Sequence, residues 1–284
     1  MGRHLQIGRG VGAALACLAT LGIASEAHAV QYGDLHITAN TTLTADRYGD
    51  IVFDADNITL NCNNHQVHIS SYTKPQDSFK AAIYAKGRSG ITIKGGCKIV
   101  GGFDFSVVIR NSTNVTVQGV SAGTEAYFDG NTNTNASDLK LSGGIALDIP
   151  NDTQGRYSAN ITCQTEGIHV DFTKFTLISN TTISGCDYMA IAGDSNTSLT
   201  LDHVNSQGSG TGVGLMSDTN GTIQNSVFSN NRYGIEILTS NNVRILGNTA
   251  LGNAVCDADE ESSSSDTWSG NTFGTTCGTV PAIH

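Results

Sequence analysis

Short alternating segments recur along the chain, each with two small or aliphatic residues flanking one residue of freer character. They are Ile83/Ala85, Val107/Ile109, Ile145/Leu147, Ile168/Val170, Ile191/Gly193, Val213/Leu215 and Ile235/Ile237. Alternation with period two is the mark of a strand with one buried side. The first members lie 24, 38, 23, 23, 22 and 22 residues apart. Eight residues after a first member a second strand often starts: Ile91/Ile93, Val115/Val117, Leu199/Leu201 and Val243/Ile245. Polar residues share the period. Asn180, Asp202, Asn225, Asn248 and Asn271 are 22, 23, 23 and 23 apart, which predicts a ladder of turn amides bonded from coil to coil.

A period near 23 with several short strands per repeat predicts an all-β, right-handed parallel β-helix with about 22–24 residues per coil. Each coil buries its apolar side only by stacking on its neighbours. A leucine-rich repeat has a similar period but needs a leucine pattern that is missing, and a propeller blade is about twice as long. The spacing predicts one domain over 30–284, with an N-terminal cap over about 30–50 and a C-terminal cap over about 254–284. The 38-residue gap predicts an inserted loop over about 121–142, where Asn and Thr are dense.

Particular repeats sharpen the fold. Tyr233-Gly234-Ile235-Glu236-Ile237 followed by Asn241-Asn242-Val243-Arg244-Ile245, and Asp50-Ile51-Val52-Phe53-Asp54 followed by Ile58-Thr59-Leu60, resemble coils of the pectate-lyase-like β-helix superfamily. The resemblance runs over roughly residues 50–277. It implies the fold; no catalytic motif of a named lyase, epimerase or glycosidase family accompanies it, and fold alone supplies no mechanism.

The N-terminus reads as a secretory signal peptide over residues 1–29. Arg3 and Arg9 give a basic start, an apolar run follows from Val11 to Ile23, and Ala27-His28-Ala29 suits cleavage before Val30. The run is short for a membrane span, and no later segment is apolar enough, so an exported protein, periplasmic or secreted, without a transmembrane segment is expected. The whole chain has 15 Lys and Arg against 25 Asp and Glu, a formal charge of −10. Losing Arg3, Arg9 and Glu26 makes it one unit more negative. That excludes non-specific nucleic-acid binding and works against a polyanionic substrate unless a cation offsets the field. Nothing in the sequence sets the oligomeric state, and a monomer is the default.

Cys17 leaves with the leader, and six cysteines remain. Cys163 and Cys186 each precede the first inward residue of a coil (Ile168, Ile191) by five positions. They should stack on adjacent coils about 5 Å apart, a separation that suits a disulfide. Cys256 and Cys277 are also about one coil apart, which leaves Cys62 for Cys97. No Cys-x-x-Cys pairing suggests zinc.

The register also predicts which outward side chains share a surface. The position after each inward doublet reads Lys86, Arg110, Asp148, Asp171, Asp194, Met216, Leu238; the position inside it reads Tyr84, Val108, Ala146, His169, Ala192, Gly214, Glu236. Asp148, Asp171 and Asp194 would then stack on consecutive coils, with His169 beside the middle one. Carboxylates about 5 Å apart need a proton, a cation or a basic neighbour. Two chemistries fit. In one, the trio binds Ca²⁺ to acidify a uronate C–H, and Lys174, Arg110 or His169 removes the proton in a lyase or C5-epimerase reaction. In the other, two of the aspartates share acid and base work in a glycosidase. Tyr84, Lys86, Tyr127 and Glu236 are the expected substrate contacts. Against both stands a structural role, because Asp at a strand end often caps a turn.

The fold resemblance, the export signal and the aspartate column together point to a polysaccharide partner and a polysaccharide-modifying enzyme. The alternative is a non-catalytic, carbohydrate-binding, adhesive or structural surface protein, for which the missing motifs and low aromatic content speak.

Overall fold

The computed structural model describes residues 30–68, 75–102 and 104–280; the expected signal peptide over residues 1–29 lies outside them. The described chain is all strand and turn. It winds as a parallel β-solenoid of about ten turns, and the strand pairings between coils are parallel throughout. Three faces run along the axis. The first carries Ile51–Phe53, Ala81–Lys86, Phe105–Arg110 and Glu125–Asp129, then the ends of the long strands Thr132–Pro150 and Arg156–Asp171, then Met189–Asp194, Thr211–Met216, Tyr233–Leu238 and Cys256–Glu261. The second face includes Thr92–Lys94, Thr113–Gln118 and Arg244–Leu246, and the third Lys98–Val100, Val227–Ser229 and Thr249–Ala250.

The alternating pattern forms strands because each coil offers its even set of side chains to a shared interior. Ile83, Val107, Ile109, Leu147, Ile168, Val170, Ile191, Val213, Ile235 and Ile237 are fully buried. Each such side chain contributes about 1.5–3 kcal/mol by leaving water, and none could do so on an isolated coil. Where aliphatic residues thin out, Phe128 and Tyr157 fill the interior edge to face, 5.5 Å between ring centroids.

Residues 121–142 are not an inserted loop. They contain the strands Ser121–Ala122 and Glu125–Asp129 and the start of Thr132–Pro150. Ala126 pairs with Val107 on one side and Leu147 on the other. The 38-residue gap is therefore two short coils. The ladder also enters the expected caps: Gln31 pairs with Arg47, Leu35 with Ile51 and Ala258 with Thr276.

The extra coil corrects the register at one point. The inward doublet on its successor is Leu147/Ile149, not Ile145/Leu147, since Leu147 pairs with Ile168 and Ile149 with Val170. Asp148 consequently stacks on His169, and Pro150 on Asp171. The three-aspartate column does not exist; Asp171 and Asp194 alone are stacked neighbours in it.

The asparagine ladder divides as well. Asn225 bonds to Asp202 at the surface, 3.0 Å, whereas Asn248 is buried and bonds to Asn271, 3.1 Å. A further interior ladder lies under the turn from first to second face. There the side chains of Asn131, Asp152, Asn196, Asp218 and Ser240 accept from the backbone N–H groups of Ser112, Asn131, Thr173, Asn196 and Asp218 on the preceding coils. All three predicted disulfides form: Cys62–Cys97, Cys163–Cys186 and Cys256–Cys277 have Cα atoms 5.0, 4.8 and 6.2 Å apart.

Candidate active site on the first face

Register on the first face sets two outward rows. One reads Tyr84, Val108, Tyr127, Asp148, His169, Ala192, Gly214, Glu236, and the other Lys86, Arg110, Asp129, Pro150, Asp171, Asp194, Met216, Leu238.

His169 is the meeting point. Its Nδ1 lies 3.4 Å from Asp148 Oδ1 and its Nε2 3.0 Å from Asp171 Oδ2. Acceptance of both ring protons, first by Asp148 and then by Asp171, pushes its pKa up to about 10. At neutral pH the ring is an imidazolium held between two carboxyl groups. Glu125 and Glu166 stand on the same face. Burial, followed by the field of Asp148, pushes the Glu125 carboxyl up to about 8. Burial also raises Glu166.

Upstream, the surface is filled. Residues 75–80 lay Phe79 against Phe105 and Tyr127, with ring centroids 5.2 and 5.4 Å away. Asp77 accepts from the Tyr84 hydroxyl at 2.8 Å and pairs with Lys86. Tyr84 is thus buried, and Lys86, though exposed, is engaged by Asp77. Arg110 donates to Asp129 through Nε and Nη2, both at 2.9 Å, and stacks 4.9 Å from the centre of the Phe79 ring.

Downstream, the surface opens. A cavity of about 220 Å³ is bounded by His169, Asp171, Asp194, Ala192, Gly214 and Met216. A second, of about 330 Å³, continues it along Tyr188, Met189, Thr211, Tyr233 and Glu236. Glu236, raised by burial, accepts from Thr211 Oγ1 at 2.7 Å. A trough of about 750 Å³ lies on the third face along Lys98, Ser121, Lys140 and Asn160. It has more volume but is lined by no carboxyl or imidazole group, so the paired-carboxyl chemistry belongs on the first face.

The structure brings Asp148, His169 and Asp171 together, with Asp194 and Tyr127 adjoining. It does not bring in Arg110, which is committed to Asp129, or Lys174, an exposed residue on the turn after Asp171 that pairs with Thr153 and Thr197. For Ca²⁺ the fit is poor. Among the described residues no three His, Cys, Asp or Glu side chains converge as ligands. Asp148 and Asp171 turn to His169, whose charge does the balancing expected of a cation. Glu125 was missed in the sequence because it opens a strand inside the segment read as a loop; the alternation Ala126-Tyr127-Phe128 was the available signal.

Comparison with solved structures returns the same architecture. The A-module of Azotobacter vinelandii mannuronan C-5 epimerase AlgE6 superposes with a TM-score of 0.57 at 15% identity, covering 88% of this chain and 76% of that one. The Dettilon tailspike protein gives 0.58 at 15% identity, over 88% and 56%. The enzymatically active domain of bacteriophage CBA120 tailspike protein 2 gives 0.51 at 14% identity, over 87% and 39%. At such identities the likeness is one of fold. No curated protein matches at a significant level. Residues 124–274 match the family model described as "Right handed beta helix region", and the chain belongs to that family of right-handed β-helix proteins.

Proposed function

We propose that this protein is an exported polysaccharide hydrolase that holds its polymer along the first face and cleaves it at Glu125 and Asp148. The observation that carries the reading is the contrast between two carboxyl groups on adjoining coils. Glu125 is held protonated at neutral pH by burial, whereas Asp148 is an acceptor for the His169 imidazolium. A carboxyl group kept protonated by burial beside one that accepts from a charged donor divides acid from base work.

Glu125 then donates its proton to the glycosidic oxygen as that bond breaks. Asp148 takes a proton from the water whose oxygen bonds to the anomeric carbon. Glu125 precedes Tyr127 by two residues and Tyr127 pairs with Asp148. One coil across and two residues along place the two backbone sites about 8 Å apart; a carboxyl separation that admits a water would make the reaction inverting, and one near contact distance retaining. His169 is a positioning residue that fixes Asp148 and Asp171. Elimination and epimerisation are less well supported because each needs an unprotonated base at carbon, and the basic side chains His169 and Arg110 do not supply one. His169 is protonated and Arg110 is engaged. The polysaccharide-acting names among the structural neighbours and the three disulfides support an exported protein with a polymer partner.

The test is an assay of the mature protein on neutral and uronate polysaccharides, with and without EGTA, following reducing ends and unsaturated products. Reducing ends without unsaturation, insensitive to EGTA and lost in Glu125→Gln, are expected. Unsaturated product, or full activity in Glu125→Gln, would overturn the assignment.

A further inference from the structure

The turn after Asp171 breaks a rule that its neighbours keep. On successive coils two positions of this turn have positive φ, a conformation that suits Gly, Asn and small polar residues and is disfavoured for bulky ones. The first position is held by Asn111, Asn151, Ser195, Ser217, Thr239 and Ser262, the second by Asn133, Gln154, Ser198, Asn220, Asn242 and Ser265. On one coil the occupants are Phe172 (φ 53°) and Phe175 (φ 56°). Their backbone bonds follow the ladder, Phe172 N–H donating to Asp194 O and Phe175 N–H to Thr197 O. So the turn itself is ordinary and only the side chains are not. Both rings are exposed, at 56% and 62%. Two phenylalanines thus sit in a conformation that disfavours them and bury little in return. Residues kept at such a cost point to function.

Their surroundings indicate a ligand. Phe175 walls a groove of about 520 Å³ whose other groups include Asn133, Gln154, Arg156, Ser198 and Thr200. One aromatic face among amides, a guanidinium and hydroxyls suits a sugar. The C–H face of a pyranose packs on the ring, and its equatorial hydroxyls bond to the planar polar groups. A protein partner would need a broader apolar centre, and a polyanion is opposed by the charge of −10. The ledge is also rigid, because Thr173 between the two rings is buried and donates from N to Asn196 Oδ1 at 2.9 Å. Phe172 directly follows Asp171, which bounds the cavity on the first face.

We infer that Phe172 and Phe175 form an aromatic ledge that anchors an uncharged stretch of polysaccharide outside the cleavage site, leading the chain from the first face onto the second-face groove. The inference rests on the polysaccharide reading above but not on hydrolysis. The test is native affinity electrophoresis of the mature protein in gels cast with dextran, laminarin, xylan or polygalacturonate, paired with thermal melts. At least one neutral glycan should retard the protein. Phe172→Asn/Phe175→Asn should weaken that retardation at least tenfold while melting at an equal or higher temperature, since Asn accepts the positive φ. Absence of retardation by all three neutral glycans, retardation by polygalacturonate alone, unchanged affinity in the double variant, or a lower melting temperature that marks the rings as packing residues would each overturn the inference. Loss of binding in the double variant of a protein that cleaves none of these polymers would sustain the ledge and remove the hydrolase.

Discussion

On either side of the His169 coil the first face has the same backbone and opposite surfaces. Upstream, its cations have acid partners and its rings are packed: Lys86 with Asp77, Arg110 with Asp129, Phe79 on Phe105 and Tyr127. Downstream, the equivalent positions shrink to Ala192 and Gly214, and the surface opens into two adjoining cavities. A solenoid holds strand spacing nearly constant, so chemistry is chosen by the outward side chains alone. The candidate centre lies at the boundary, where filled surface ends and room for a polymer begins.

The comparison breaks most sharply at Asp148. Asp148→Asn should lower the hydrolytic rate by about 10²–10⁴-fold while its melting temperature falls by no more than a few degrees, the share of the His169 pair it removes, whereas Glu236→Gln, in the same row downstream, should leave the rate within about threefold and act on KM. Equal losses in the two would mean that the boundary has no special chemistry. A smaller effect is expected from filling the open end. A Cβ on Gly214 would press on the flexible end of Met189, Sδ at 3.0 Å and Cε at 3.2 Å, and touch Thr211 Cγ2 at an ordinary 3.9 Å. Gly214→Trp should therefore fold and raise KM by about tenfold or more, the cost of lost groove contacts. An unaltered KM would place the polymer elsewhere. Opening the filled end is milder still. Phe79→Ala removes two aromatic contacts and a cation–π contact, each about 0.5–1.5 kcal/mol, and should lower the denaturation midpoint while leaving KM alone. A lowered KM there would show that residues 75–80 obstruct the groove.

How far the sequence could be read follows from the same geometry. The inward phase was legible because burial admits few residue types: Ile168/Val170, Ile191 and Ile235/Ile237 sit where the alternation puts them. The cysteines followed, since a pair one coil apart has a single neighbour. What failed was counting coils where Ala126 and Ala136 replace larger residues and Phe128 and Tyr157 make up the volume. Ile145, Leu147 and Ile149 then form three alternating candidates for two inward positions. Parity survives a slip of two, so Asp148 was still read as outward, but it was assigned to the neighbouring row. The ion pairs of His169 could not be read until that row was right. Phe172 and Phe175 were legible in principle, as the aromatic interruption in two columns otherwise made of Asn, Gln, Ser and one Thr.

The smallest effect concerns pH, and it tests whether His169 is held as described. Its folded pKa of about 10 lies above the ordinary value of about 6.5, so the folded state binds the extra proton between these limits. The stabilisation is complete below about pH 6.5 and drains away as pH rises towards 10. Glu125 acts in the same direction by a different route. Its pKa, raised to about 8 from an ordinary value near 4.3, costs nothing when the carboxyl is protonated in both states. The cost enters as pH climbs from about 4.5 to 8. The wild type should therefore lose melting temperature steadily from pH 5 to 10. The advantage of wild type over His169→Gln should narrow between pH 6.5 and 10, and Glu125→Gln should gain on wild type between pH 5 and 8. Both aspartates and the ring are partly exposed, so solvent screening keeps these shifts to a few degrees. A gap between wild type and His169→Gln that stays flat over that range would mean that the imidazole does not bridge the two carboxyl groups, and the positioning role assigned to it would fall with the bridge.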